Sequence, residues 1–178
     1  MSWTTLIAGF GLIAALAAAQ QTEPQLLHVR NTFEFSVAAP QSTVAPLFGA
    51  HRERVWAEGW DPQFVYPQTP EDKQGAVFSV KHGHLNSTWI TTIFEPEKGH
   101  IQHVAFIPDR IVTLIDIHLS RTGANGTHVQ VAYERTALSP EMNGHVRQLG
   151  QNDANSGPQW EQEVASYLKK AAAGGAAH

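Results

Sequence analysis

From Val29 the chain alternates between apolar and polar residues. Val29, Asn31, Phe33, Phe35 and Val37 fall on one face of an extended segment, and Arg30, Thr32, Glu34 and Ser36 on the other. That two-residue period predicts a strand with Phe33 and Phe35 directed inward. Pro40 then opens a helical stretch, with Ser42 and Thr43 as capping residues and Val44, Leu47 and Phe48 at helical spacing. Two short helices are expected between the first strand and the aromatic segment that follows.

Further strands are expected over 76–81, 88–94 and 100–107, each bounded by turn residues. Ile111, Thr113, Ile115, Ile117 and Leu119 share one face of another strand, and Val129, Val131 and Tyr133 share one face of its successor. A two-residue turn at Asn125-Gly126 would set Ile117 opposite Glu134, on the wrong face. Burial fixes register more firmly than turn propensity, so a longer or bulged turn is expected. The segment 140–158 is polar and rich in Gly and Asn, and reads as a connection. Beyond it Trp160, Val164, Tyr167 and Leu168 recur at helical spacing, predicting a helix over 158–172 that ends near Gly174-Gly175.

A curved antiparallel sheet must cover its apolar face, and the last helix is the one large apolar helix this pattern offers. The fold class is therefore α+β, a helix-grip arrangement in which the sheet wraps around a long C-terminal helix. One domain is expected over 28–172, with a flexible tail over 173–178. Residues 6–19 form a continuous apolar run ending in Ala17-Ala18-Ala19. The run is short for a bilayer span but suits a signal peptide, although no Lys or Arg precedes it. Residues 1–23 are set apart as a signal peptide or N-terminal apolar segment. Export is the expectation, with a cytoplasmic location as the alternative and no stable membrane span in the mature chain.

Composition narrows the function. The net charge is −4 and the 12 basic residues are scattered, which excludes the clustered cations that nucleic acid requires. There is no cysteine, so disulfides, thiolate metal sites and cysteine nucleophiles are excluded together. No nucleophile elbow, phosphate loop or dinucleotide fingerprint occurs, and no cofactor is expected. The aromatic segment holds Trp56, Trp60, Phe64 and Tyr66, rings suited to the wall or gate of an apolar cavity.

These residues carry a resemblance. The first strand runs into Ala39-Pro40, Trp56-Ala57-Glu58-Gly59-Trp60-Asp61-Pro62 follows, Trp89 precedes Phe94-Glu95-Pro96, and the strand 129–139 precedes the terminal Trp160 helix. In these features the chain resembles the START/birch-pollen-allergen superfamily, in particular bacterial SRPBCC proteins described as polyketide cyclase/dehydrase-like. The resemblance implies an internal cavity for lipids, polyketide intermediates or other apolar molecules, and no single activity.

The expected partner is thus a small hydrophobic ligand. The expected walls are Phe33, Phe35, Ile115, Ile117, Val131, Tyr133, Trp160 and Val164, with Trp60 and Phe64 near the mouth. One alternative is a cyclase or aromatase in which a cavity His or Tyr moves a proton. Another is an interaction or envelope-stress protein with a filled core. No catalytic residue is assigned. His103 is a possible acid/base, because either face of the strand 100–107 could point inward. Ten histidines invite a metal reading, with His82 and His84 on one side of an extended strand and His118 and His128 on the outer sheet face. Two ligands do not make a site, so no metal is expected.

Overall fold

The computed structural model describes residues 25–175. Seven strands form one antiparallel sheet in the order β1-β7-β6-β5-β4-β3-β2. They are β1 His28–Val37, β2 Gln63–Tyr66, β3 Val77–His82, β4 Leu85–Glu95, β5 His100–Ile107, β6 Ile111–Arg121 and β7 Thr127–Ala137. Strands β2 to β7 form a meander, and β1 pairs with β7 at the far edge.

The β6–β7 hairpin sets Arg121 opposite Thr127 and Ile117 opposite Val131, leaving residues 122–126 as a five-residue loop. Apolar burial therefore prevails over the Asn-Gly signal. The β5–β6 turn pairs Ile107 with Ile111, and Asp109 takes a left-handed φ of 57° within it. That register resolves the strand left open in the sequence: Ile101, His103 and Ala105 face inward and are buried. In β4, Thr91 pairs with His103 but Ile93 pairs with Gln102, so a bulge inserts one residue. The bulge lets Thr91 and Phe94 both face the interior despite their odd spacing, and bends the strand around the core.

After β1, Pro40 accepts the amides of Thr43 and Val44 on its carbonyl, starting α1 (Gln41–Val44). Neither Ser42 nor Thr43 caps it through its side chain. Two 3₁₀ turns follow, Ala45–Phe48 and Arg52–Val55, in place of two regular helices. The aromatic segment contains the edge strand β2, flanked by Pro62 and Pro67, as befits a strand with one unpaired side.

The largest departure from the sequence pattern lies between β7 and the last helix. Residues expected to form a loop contain α2, Asn143–Asp153. It buries Val146, Gly150 and Asp153, and a methyl group at Gly150 would sit 2.6 Å from the Asn31 Nδ2 and 3.2 Å from the Val29 Cγ2. The long helix α3 spans Gly157–Gly175, so residues 173–175 continue it. The leader falls outside the described residues, and no described helix is long and apolar enough to cross a membrane.

Helix α3 closes the main core. Phe33, Phe35, Val37, Phe48, Trp56, Ile101, Ile115, Ile117, Val129, Val131 and Val164 are buried together, with Trp160, Tyr167 and Leu168 packed against them. The Trp160 ring meets Phe33 edge-on at 5.2 Å and Trp56 at 5.3 Å. Rings packed edge to face in this way fill the space between sheet and helix with side chains.

Candidate functional site

The cavity lies under α2. It encloses about 460 Å³ and is lined by Trp60, Leu85, Trp89, Ala105, Ile107, Ile111 and Leu149, with polar atoms from Glu53, His82, Ser87, Thr113, Tyr133, Arg135 and His145. Its walls come from the turn end of the β3–β4 hairpin, the β5–β6 turn, the C-terminal half of β7, the second 3₁₀ turn with Trp60 beyond it, and α2. The size and the mostly apolar lining with a few convergent polar groups match small-molecule pockets, which run from roughly 300 to 1,000 Å³. Two other hollows differ in kind. One, between α3 and residues 55–58, is lined mainly by Gln, Glu, Ser and Lys, and the other is bounded by residues 65–71, the end of β2 and the loop that follows it.

Of the residues expected to form the walls, Trp60 and Tyr133 line this cavity. Phe33, Phe35, Ile115, Ile117, Val131, Trp160 and Val164 point inward as expected but pack into the closed core under α3. Phe64 packs against Phe78 at 5.5 Å in a smaller cluster with Ala50 and Val80. Two members of the aromatic segment are pinned in place. Trp56 donates Nε1–H to the Leu47 carbonyl at 2.7 Å, and Trp60 to the Ala50 carbonyl at 2.8 Å. Trp56 is core, whereas Tyr66 faces outward and is exposed.

His103 is buried and satisfied on both nitrogens. Its Nε2–H donates to the Phe48 carbonyl at 3.1 Å, and its Nδ1 accepts from the Thr91 hydroxyl at 3.2 Å. Burial pushes the ring down to about 4, with the Phe48 bond opposing, so it is neutral at physiological pH. It stands outside the cavity lining and supports the sheet.

The polar groups that do reach the cavity were not evident from the sequence. Burial pushes the Glu53 carboxyl up to about 8, and the charges of Asp72 and Glu163 add to the shift. Glu53 lines the cavity, and its acid is kept protonated near neutral pH. Burial, followed by the nearby Glu53 charge, also raises the Tyr133 hydroxyl well above the ordinary phenol range, against the pull of Arg135. Arg135 stacks its guanidinium over the Tyr133 ring at 4.7 Å. It also donates Nε–H and Nη2–H to the two Asp153 oxygens and Nη1–H to Thr113. The pair is neutral as a unit. On the opposite wall Ser87 gathers donations from Trp89 Nε1–H at 2.6 Å and His82 Nε2–H at 3.0 Å, and itself donates to the Val80 carbonyl. Burial and then the Arg135 charge lower His82, favouring its neutral form.

The cavity thus presents a wide apolar surface on which His82, Ser87 and Thr113 are already bonded to protein groups, while the Glu53 acid and the Tyr133 phenol are neutral and unengaged. Among the described residues neither side chain makes a hydrogen bond, and neither is a fully buried orphan, because each faces the void.

Of the two histidine placements expected from the alternation, one differs in the structure and one agrees. His82 ends β3 while His84 sits in the two-residue turn Gly83-His84, so they do not share a strand face. His118 and His128 do share the outer face, but His118 is opposite Gln130 and His128 opposite Ser120.

No family model matches the chain, and no curated protein matches it. Solved structures do. Norcoclaurine synthase from Thalictrum flavum, in complex with dopamine and hydroxybenzaldehyde, is 13% identical with a TM-score of 0.59, over 95% of this chain and 98% of that one. A hypothetical protein from Helicobacter pylori is 8% identical with a TM-score of 0.63, over 93% and 99%. An uncharacterised protein from Rhizobium leguminosarum is 11% identical with a TM-score of 0.56, over 82% and 97%. At such identities the likeness concerns architecture: this chain has the helix-grip fold of these proteins, a curved antiparallel sheet gripping a long C-terminal helix.

Proposed function

We propose that the protein binds a small, uncharged, largely apolar molecule in the cavity beneath α2. The observation that carries this reading is the pairing of an apolar enclosure with two unengaged neutral groups, Glu53 and Tyr133. Apolar walls favour burial of ligand surface at roughly 25 cal/mol per Å², offset by the costs of association. Glu53 and Tyr133 would orient a ligand carbonyl or ether oxygen by donating to it. A carboxylate or ammonium ligand is disfavoured, because the guanidinium of Arg135 is already matched by Asp153. Lipid and polyketide-like molecules fit this description.

The test uses freshly purified protein. Native mass spectrometry should reveal a co-purifying neutral ligand, and an apolar fluorescent probe should bind and be displaced by it. Ala105 lines the cavity, so Ala105→Phe should fill the space and abolish probe binding while the near-UV circular dichroism stays native-like. Absence of both ligand and probe binding, or unchanged probe binding in Ala105→Phe, sinks the reading in favour of an interaction protein.

One observation favours a second reading. A carboxyl titrating near 8 beside a phenol is poised for acid–base work at neutral pH. The norcoclaurine synthase structure shows that this fold can hold two small aromatic molecules in an enzyme. If this chain is an enzyme, Glu53→Gln and Tyr133→Phe should abolish turnover while leaving ligand affinity within a few-fold. Turnover unaffected by both variants removes this alternative. Export belongs to the same proposal for the leader, and sequencing the mature N-terminus tests it; Met1 on the mature protein overturns it.

A further inference from the structure

The outer face of the sheet carries a cluster with no part in the cavity. His100 on β5 stands directly opposite His118 on β6, and their rings stack at 4.3 Å with 16° between planes. Asp116 occupies the next outward position of β6, opposite Gln102. Both imidazoles turn Nε2 onto this one carboxylate, at 2.8 Å to Oδ1 from His100 and 3.1 Å to Oδ2 from His118. The three donor atoms lie within 4.8 Å of one another, the one such group among the described residues.

We propose that His100, Asp116 and His118 form a binding site for a divalent transition-metal ion of the zinc class. Three features separate this cluster from scattered surface histidines. First, two nitrogens and a carboxylate oxygen lie within 4.8 Å of one another, the mixed donor set that zinc, copper and nickel accept. With ligand bonds near 2.0–2.2 Å, tetrahedral geometry separates neighbouring donor atoms by roughly 3.3 Å. The two His–Asp contacts run to different oxygens, 2.8 Å to Oδ1 and 3.1 Å to Oδ2, so the carboxylate would turn one oxygen toward the ion or ligate through both.

Second, the carboxylate is held from behind. Gln102 donates Nε2–H to Asp116 Oδ1 at 3.1 Å, and the Thr92 hydroxyl donates to Gln102 Oε1 at 2.9 Å. Such outer contacts fix ligand orientation in metal sites. Third, all three ligands stand on the paired central strands β5 and β6, so their spacing is set by the sheet and not by a loop. The His118 side chain is half exposed, which admits an ion and leaves a position for water.

Carboxylates accept and do not donate, so in the metal-free protein each Nε2 carries the proton of its bond to Asp116. Zinc would take the Nε2 lone pairs in place of those protons. In a neutral ring the displaced Nε2 proton would move to Nδ1 by tautomerisation, and a doubly protonated ring would keep its Nδ1 proton and release the Nε2 proton to solvent.

The experiment uses the chelator-treated full chain and Zn²⁺ alone. Calorimetric titration should give one ion per chain, and zinc should shift the ring ¹⁵N resonances of His100 and His118 from protonated to metal-bound values. His100→Ala, His118→Ala and Asp116→Asn should each weaken binding at least tenfold, and Gln102→Ala less. His128→Ala, whose ring pairs with Glu34 at 3.4 Å, should bind as the parent does. Asp116→Asn preserves side-chain shape, so a loss of binding there with native circular dichroism is not a folding failure. Binding that persists unchanged in the His100→Gln, Asp116→Asn double variant, or no stoichiometric zinc in the parent, overturns the proposal.

Discussion

Arg135 clasps Asp153 with two parallel bonds, Nε–H to Oδ2 at 2.6 Å and Nη2–H to Oδ1 at 2.7 Å. The contact ties the floor of the cavity on β7 to the last turn of α2, the helix that roofs it. A carboxylate at a helix C-terminus is unfavourable on its own, so Arg135 also offsets the helix dipole there. Both side chains are largely buried. Asp153→Ala should therefore destabilise the protein by about 3 kcal/mol, since it strands a buried guanidinium. The paired change Arg135→Met, Asp153→Leu should recover most of the loss. Urea denaturation measures the stability, and amide exchange should show α2 opening first in the single variant.

Two buried titrations of opposite sign give the fold a pH signature. Glu53 rises from 4.5 to about 8 in the folded state, so the native protein keeps a proton that the unfolded chain releases. Its contribution is full below 4.5 and is lost as pH rises through 8. His103 falls from 6.5 to about 4, so its contribution is full above 6.5 and is lost as pH drops toward 4. Between 4.5 and 6.5 the two slopes oppose each other. From 6.5 to 8 Glu53 acts alone, and stability should fall by up to about 1.4 kcal/mol per pH unit. Glu53→Gln should flatten that arm and leave the acid arm intact. Urea midpoints across pH 4 to 9 check both.

Trp56 shows how far the alternation of residues could be read and where it stopped. The inward faces of β1, β6 and β7 and the apolar stripe of α3 follow from periodicity, because each buries residues at regular spacing. Periodicity tells which way a side chain points, but not whether the space beyond it is filled. Phe33, Ile117, Val131 and Trp160 meet Trp56 and Phe48 from above, so their end of the interior is solid. The void lies at the other end, where α2 presents only Leu149 and His145 to it. The buried positions of α2 hid it in the sequence: besides Val146 they are a glycine and an aspartate, Gly150 and Asp153, which no apolar period detects. The histidine cluster was hidden differently, since His100 meets His118 only once Asp109 fixes the β5–β6 register.

Trp56→Phe should test the solid end directly. It removes the Nε1–H that the buried Leu47 carbonyl accepts while leaving a ring to face Phe48 at 5.6 Å. An unpaired buried carbonyl costs roughly 1–3 kcal/mol. The expected result is a thermal midpoint several degrees lower, with probe binding in the α2 cavity unchanged. Lost binding would mean that the two ends of the interior are coupled.

Gly49 and Asp72 should prove inseparable. Asp72 reaches across to accept the His51 amide at 2.6 Å on Oδ1 and the Arg52 amide at 3.0 Å on Oδ2, securing the 3₁₀ turn that carries Glu53 into the cavity. A methyl group at Gly49 would overlap the Asp72 carboxyl carbon, although the backbone there, with φ at −73°, tolerates any residue. The demand for glycine is thus steric and comes from one partner. Gly49→Ala should cost about 2 kcal/mol through overpacking and displacement of the carboxylate. In an Asp72→Ala background, which itself loses the two amide bonds, the same substitution should cost almost nothing. A double-mutant cycle by urea denaturation should return a coupling of about 1–2 kcal/mol. Additive effects would show that Gly49 is required for some contact other than Asp72.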